Sequence, residues 1–209
     1  TNLYSNSEYI VGESRSVITY NQAVSPEGVK NAILGLDTTT PGGSQVGPAI
    51  ITAPSGTSTM VFSIFAKKYN NRYIYLKIDD NPANIGGTVN FSWATFDLED
   101  GVVTSEGTYG SPTNPFNGIE DYGNGWYRCW VGATKKSGVT RTDARVYLVA
   151  GPNNPNSNPP SPLTGVNGNY LYGYQCEEGS YPTSYIPTYG STQTRAAETT
   201  TSTFNSSST

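Results

Sequence analysis

The sequence contains no histidine. That excludes Ser-His-Asp and Cys-His catalysis and any metal centre built on imidazole. Charge is also scarce. Asp, Glu, Lys and Arg make up 13% of 209 residues, against about 25% in an ordinary soluble domain. Twelve basic residues face 16 acidic ones for a net charge of −4, and no basic run occurs. Nucleic acid is therefore not an expected partner. No apolar run nears the ~18 residues of a membrane span, so membrane insertion is not expected either. Residues 1–10 have neither a basic nor an apolar leader region, so no signal peptide is expected. Only two cysteines are present, Cys129 and Cys176. They are too far apart for a CxxC redox or zinc motif. They read either as separate buried thiols or as a disulfide between neighbouring strands.

The deficit is filled by 23 Gly, 14 Pro and 16 Tyr, with abundant Ser, Thr and Asn. Tyr, Thr and Gly suit strands and turns. The hydrophobic period is two rather than 3.6. Residues 59–67 (TMVFSIFAK) and 72–78 (RYIYLKI) read as a strand pair around an Asn-rich turn. Residues 88–96 (TVNFSWATF) put Val89, Phe91 and Trp93 on one face. Asp100-Gly101 then marks a hairpin into 102–105, since Gly supplies the positive φ of the turn. Residues 125–134, 144–150 and 170–177 complete the strong strands, with 16–20 and 48–53 as shorter ones. Residues 26–36 are the best candidate for a turn of helix. The pattern predicts an all-β fold, a jelly-roll β-sandwich of about 8–10 antiparallel strands. Residues 1–178 would form the sandwich and residues 179–209 an extended Ser/Thr/Tyr-rich strap and tail. The Pro/Asn-rich stretch 151–169 reads as a long contact loop.

Candidate chemistry is thin. The acidic doublets are adjacent in sequence, and adjacent strand residues face opposite ways, so none supplies a glycosidase pair. No catalytic residue and no resident cofactor is expected. Asp79-Asp80 could take Ca²⁺ through hard oxygen ligands, though the segment matches no calcium loop. The aromatics are more informative, because their faces can stack on sugar rings. Tyr69, Tyr73, Tyr75 and Tyr127 are expected on the solvent side, with Trp130, as glycan or partner contacts. Phe62, Ile64, Phe91, Trp93, Trp126 and Leu171 are expected in the core. Tyr181, Tyr185, Ile186 and Tyr189 give the tail an aromatic stripe, and Pro182 and Pro187 stiffen it as a strap across the sandwich or a neighbouring subunit.

Residues 123–131 (GNGWYRCWV) and 171–198 (LYGYQCEEGSYPTSYIPTYGSTQTRAAE) resemble a module recurrent in structural proteins of tailed bacteriophages. Its members read GNGWYR, then a strand ending in GAQLEEG, then PTSYIPT and TRAA. FSIFAK at 62–67, FDLEDG at 96–101 and the opening NLYSNSE extend the resemblance over nearly the whole chain. One departure is Cys176, where the module usually has Leu. The resemblance implies a sandwich similar to non-catalytic carbohydrate-binding modules, carried on a virion. A short chain that is nearly all module suggests a capsid decoration or head-fibre protein on the capsid exterior. A tail-fibre receptor-binding domain and a free carbohydrate-binding module are the alternatives. Expected partners are other virion proteins, such as a major capsid or fibre protein, and host surface polysaccharide. A homo-oligomer is expected, with a trimer favoured.

Overall fold

The structure, a computed structural model, describes residues 1–10, 12–39, 44–47, 50–80, 89–152 and 165–195. Among these residues there are thirteen strands and no helix. They are β1 (Gly12–Ser14), β2 (Ser16–Ala23), β3 (Ala32–Asp37), β4 (Ser44–Val46), β5 (Ile50–Thr52), β6 (Ser58–Lys68) and β7 (Tyr73–Asp80). Then follow β8 (Asn90–Asp97), β9 (Val102–Tyr109), β10 (Thr113–Asp121), β11 (Trp126–Lys135), β12 (Arg141–Val149) and β13 (Gly168–Glu178). Ten have six residues or more, and three are three-residue pieces. One sheet runs β1-β4-β12-β7-β8-β9 with β5 also on β12; the other runs β10-β11-β6-β13-β3-β2. Every pairing is antiparallel.

The two sheets pack face to face, as an alternating pattern requires. The long central strands supply the filling. β6 contributes Met60, Phe62, Ile64 and Ala66, and β7 contributes Ile74, Leu76 and Ile78. Leu171, Tyr174, Cys129 and Cys176 lie in the same core. Phe62, Ile64 and Leu171 thus sit where the sequence put them. Cys129 pairs with Ile64 and Cys176 with Phe62, so β6 lies between the cysteine strands. Both are free, and burial pushes both thiols well up.

Besides the short β1 and β4, which were not expected, three longer strands differ from the sequence reading. Ala32–Asp37 is a strand, not part of a helical turn. Five of its six residues are buried, so the alternation that marks a half-exposed strand is missing. β10 was not expected, because Pro115 and Gly118 dilute its pattern; it is an edge strand, where Pro is tolerated. In β8 the core face is Ser92, Ala94 and Phe96, paired with Ile78, Leu76 and Ile74. Trp93 points the other way. Phe91 pairs with Asp79 and Tyr109 in the backbone, and its side chain lies outside the described residues.

The Asp100-Gly101 turn is where it was expected. Gly101 has φ +67°, and a Cβ there would lie 2.6 Å from the Tyr127 ring. Asp97 accepts from the Glu99 and Asp100 amides and, in a fork, from Arg72 Nε at 2.8 and 2.7 Å. Burial raises the Asp97 carboxyl, but these partners outweigh it and hold it below the usual range. Most of the 151–169 contact loop and the tail beyond residue 195 lie outside the described residues.

Candidate functional site

The GNGWYR segment builds a turn and then a two-faced strand. Gly123, Asn124 and Gly125 all have positive φ, at 78°, 53° and 77°. Glycine and asparagine are the residues that tolerate this. The Tyr122 amide donates to Trp126 O, and the Trp126 amide to Gly123 O, each at 2.9 Å. β11 leaves the turn with Tyr127, Cys129 and Val131 opposite core residues of β6, and with Trp126, Arg128 and Trp130 on the outer face. Trp126 is buried there against Ala32, Phe65 and Tyr172, and its Nε1 donates to Val24 O at 3.0 Å. The Arg128 guanidinium lies 5.3 Å from the Phe65 ring centre and donates to Ser63 Oγ at 3.1 Å.

The outer face is covered by the chain itself. Gln175 and Glu177 point outward from β13 and are fully buried. Glu177 Oε1 accepts from the Thr183 amide at 2.8 Å and from Gln175 Nε2 at 2.7 Å; its Oε2 accepts from Thr183 Oγ1 at 2.7 Å. Gln175 Oε1 accepts from the Ile186 amide at 2.8 Å. The N-terminus fastens the other side. Asn2 Nδ2 donates to Ile186 O and Tyr174 O, while its Oδ1 accepts from the Tyr4 and Cys176 amides. The Thr188 amide donates to Ser7 Oγ, and the Ser7 amide donates to Thr188 Oγ1, both at 2.8 Å.

The strap residues divide. Ile186 is buried. Tyr185 packs edge-on to Phe65 and Tyr172, and its hydroxyl donates to Glu8. The Tyr172 hydroxyl lies between two carboxylates, 2.7 Å from Glu27 and 3.0 Å from Glu8. Burial pushes the Glu8 carboxyl up, and the two tyrosine hydroxyls draw it partly back. Tyr181 lays its ring edge-on to Trp130 and donates to Glu120 at 3.2 Å. Tyr189 is 77% exposed, so of the two places expected for the stripe, its own sandwich or a neighbouring subunit, this ring does not take the first.

At one end of this face lies an open groove of about 500 Å³. Its floor is a row across three strands: Trp126 of β11 and Tyr170 of β13 both stand opposite Lys67 of β6. The β2–β3 loop forms one wall, and Tyr122, Gly123 and Asn124 form the other. Tyr122 is exposed, with its ring held 4.8 Å from Phe65. Exposed Tyr69 packs edge-on to Tyr170 at 5.4 Å and extends the aromatic strip beyond the groove. Lys67 Nζ donates to Asn124 O. Among the described residues that line it, none is a carboxylate.

The outer face of the seven-stranded sheet is different. Tyr75, Trp93, Tyr147 and Val149 form a buried cluster with Tyr73 at its margin. Tyr75 stacks on Trp93 at 5.7 Å. Beside it run Lys77–Asp79 at 2.9 Å, Arg141–Asp143 at 3.0 Å and Arg145–Asp143 at 2.9 Å.

Several expected contacts are thereby relocated. Tyr69 is exposed as expected and Tyr73 is half-buried, but Tyr75 and Trp130 are buried at 5% and 8% exposure. Tyr127 faces the intersheet core rather than solvent, because it stands opposite Ala66. Trp93 and Trp126 are buried, yet each belongs to an outer cluster and not to the intersheet core. The Asp79 and Asp80 carboxylates have separate partners: Asp79 meets Lys77, and Asp80 accepts from the Asn90 amide at 2.7 Å and its side chain at 3.2 Å. No group of three metal-ligating side chains occurs among the described residues. Lys67, Tyr122, Asn124 and Tyr170 of the groove were not singled out from sequence. Asn124 lies inside GNGWYR, which was the available signal.

No family model and no curated protein matches the chain. Among solved structures, the enzymatically active domain of tailspike protein 4 from bacteriophage CBA120 is similar at 12% identity and TM-score 0.48. The match covers 85% of this chain and 21% of the tailspike chain, so this chain spans about a fifth of that protein's length. A candidate sugar-binding protein from Bacteroides thetaiotaomicron VPI-5482 is similar at 10% identity and TM-score 0.43, over 86% of this chain and 94% of that one.

Proposed function

We propose that the chain is a non-enzymatic surface protein of a bacteriophage virion, in a capsid-decoration or head-fibre role. One observation carries the reading. The opening NLYSNSE stretch and PTSYIPT, both part of the resemblance, lie far apart in the chain yet bond to each other: Asn2 Nδ2 donates to Ile186 O, and Ser7 and Thr188 exchange two bonds. Gln175 and Glu177 of the QCEEG stretch hold Thr183 and Ile186 of PTSYIPT. GNGWYR lies in the same sheet, and its Arg128 reaches Ser63, the cross-strand neighbour of Gln175. The non-enzymatic part rests on the sequence, which has no histidine and whose acidic doublets are adjacent residues that face opposite ways on a strand. Other virion proteins are the expected partners.

Immunogold electron microscopy of the source particles, with antibody raised against this protein, tests the role. Label spread over the head supports decoration. Label confined to the tail replaces it with receptor binding, and particles without label defeat the virion reading. Reducing ends released from host polysaccharide by the pure protein would defeat the non-enzymatic reading.

A further inference from the structure

We infer that the groove over Trp126, Lys67 and Tyr170 is a binding site for an oligosaccharide. This deepens the surface-protein reading and rests on it for its biological setting, but the site stands on its own geometry. A sugar ring offers an apolar face to an aromatic ring and a rim of hydroxyls to hydrogen-bonding groups. The groove supplies both kinds of surface. Tyr122 and Tyr170 line it, and Tyr69 extends the aromatic strip outward. Lys67 and Asn124 line it as well and supply polar groups.

The rings are held in place before any ligand arrives. Tyr122 is fixed edge-on to Phe65, Tyr170 edge-on to Tyr69, and the Asn124 turn is tied to Lys67. Fixed rings lose little conformational freedom on binding, which favours affinity. The volume, about 500 Å³, falls in the range of small-molecule sites. The other aromatic cluster, around Tyr75 and Trp93, is buried and offers no such surface.

The test is binding of the intact protein to an immobilised array of neutral and acidic hexose oligomers, with Tyr122→Ala, Tyr69→Ala and Lys67→Gln beside it. Tyr109→Ala, an exposed tyrosine on β9 of the other sheet, is the control. The expected result is binding to at least one array member that falls about tenfold in Tyr122→Ala, the scale of one aromatic contact. The control should bind as the parent does. Thermal melts check that each variant is folded, and Tyr69→Ala, at an exposed ring that packs edge-on to Tyr170, keeps the test valid if Tyr122→Ala unfolds. Binding that survives all three groove variants overturns the site, and so does failure to bind any array member. Either result leaves the virion reading to stand or fall on the immunogold label.

Discussion

The outer faces of the two sheets are built from the same kinds of residue and held in opposite ways. On the six-stranded sheet, Gln175, Glu177 and Ser63 are buried, and uncharged donors satisfy the one carboxylate among them. On the seven-stranded sheet, Asp79 and Asp143 are buried among Lys77, Arg141 and Arg145. Both Glu177 oxygens have partners. Asp79 Oδ1 has none among the described residues; on the strapped face such a gap falls on a donor, Arg128 Nε, rather than on a carboxylate oxygen. Donors carried by a strap that the same chain lays down can be placed bond by bond. An ion-pair row along neighbouring strands is confined to strand spacing and leaves gaps. The difference separates a face made to be closed from one where charge is merely neutralised.

The strap makes the sharpest break. Ending the chain after Glu178 would strip donors from Gln175 and Glu177 and uncover Phe65, Trp130 and Ile186's seat. The expected loss exceeds about 5 kcal/mol, enough to abolish folding of a marginal domain. Urea unfolding should show no cooperative transition. An unchanged midpoint would make the strap an accessory to a face that is stable without it. Next in size is Trp126→Ala, expected to cost about 3–5 kcal/mol through the cavity it leaves and the lost bond to Val24. A midpoint shift under about 1 kcal/mol would mean that the six-stranded outer face is not a second core.

How far the sequence reached follows from the same contrast. The strands of the intersheet core were legible, because Phe62, Ile64, Ile74 and Leu76 alternate with other residues and meet an apolar layer. The Asp100-Gly101 hairpin was legible from turn chemistry. The orientation of β8 was not. When both faces of a sheet are covered, a period of two identifies a strand but not its inner side. Trp93 looked like core and Ser92 and Ala94 did not, yet the small residues face the partner sheet. The strap was foreseen from its Pro and Tyr content, but its anchors were not. Gln175 and Glu177 read as a polar strand end, and nothing local reveals that Thr183 and Ile186 come back to them. The groove row was hidden for a similar reason: Lys67, Trp126 and Tyr170 become neighbours only through cross-strand register.

The anchor itself gives the third effect. Glu177→Ala leaves the Thr183 amide and hydroxyl and the Gln175 amide without their acceptor. The expected cost is about 2–3 kcal/mol, since bonds to a charged group count for more than neutral ones. Hydrogen exchange at the Thr183 and Ile186 amides should accelerate while amides of β7 and β12 stay protected. Uniform acceleration across both sheets would mean that strap and sandwich open as one unit, and the proposed contrast would lose its local meaning.

Asp79→Asn is the smallest and the most discriminating. Burial lifts the Asp79 carboxyl above the usual carboxylate range, with Lys77 opposing and Asp143 reinforcing the rise. As pH rises, the folded protein therefore releases the Asp79 proton later than the unfolded chain, which releases it near pH ~4. Stability from this group is full below that pH and is lost as the pH rises through the raised value. Asparagine cannot titrate, so the variant should lack this fall. At pH 7 the lost ion pair to Lys77 and the removed burial of charge oppose each other, and the net change should stay within about 1 kcal/mol. Urea midpoints across pH 3–8 measure the slope directly. If the variant keeps the parental slope, Asp79 is ionised without penalty. The seven-stranded face would then be as well satisfied as the strapped one, and the difference between the two faces would reduce to which segment covers them.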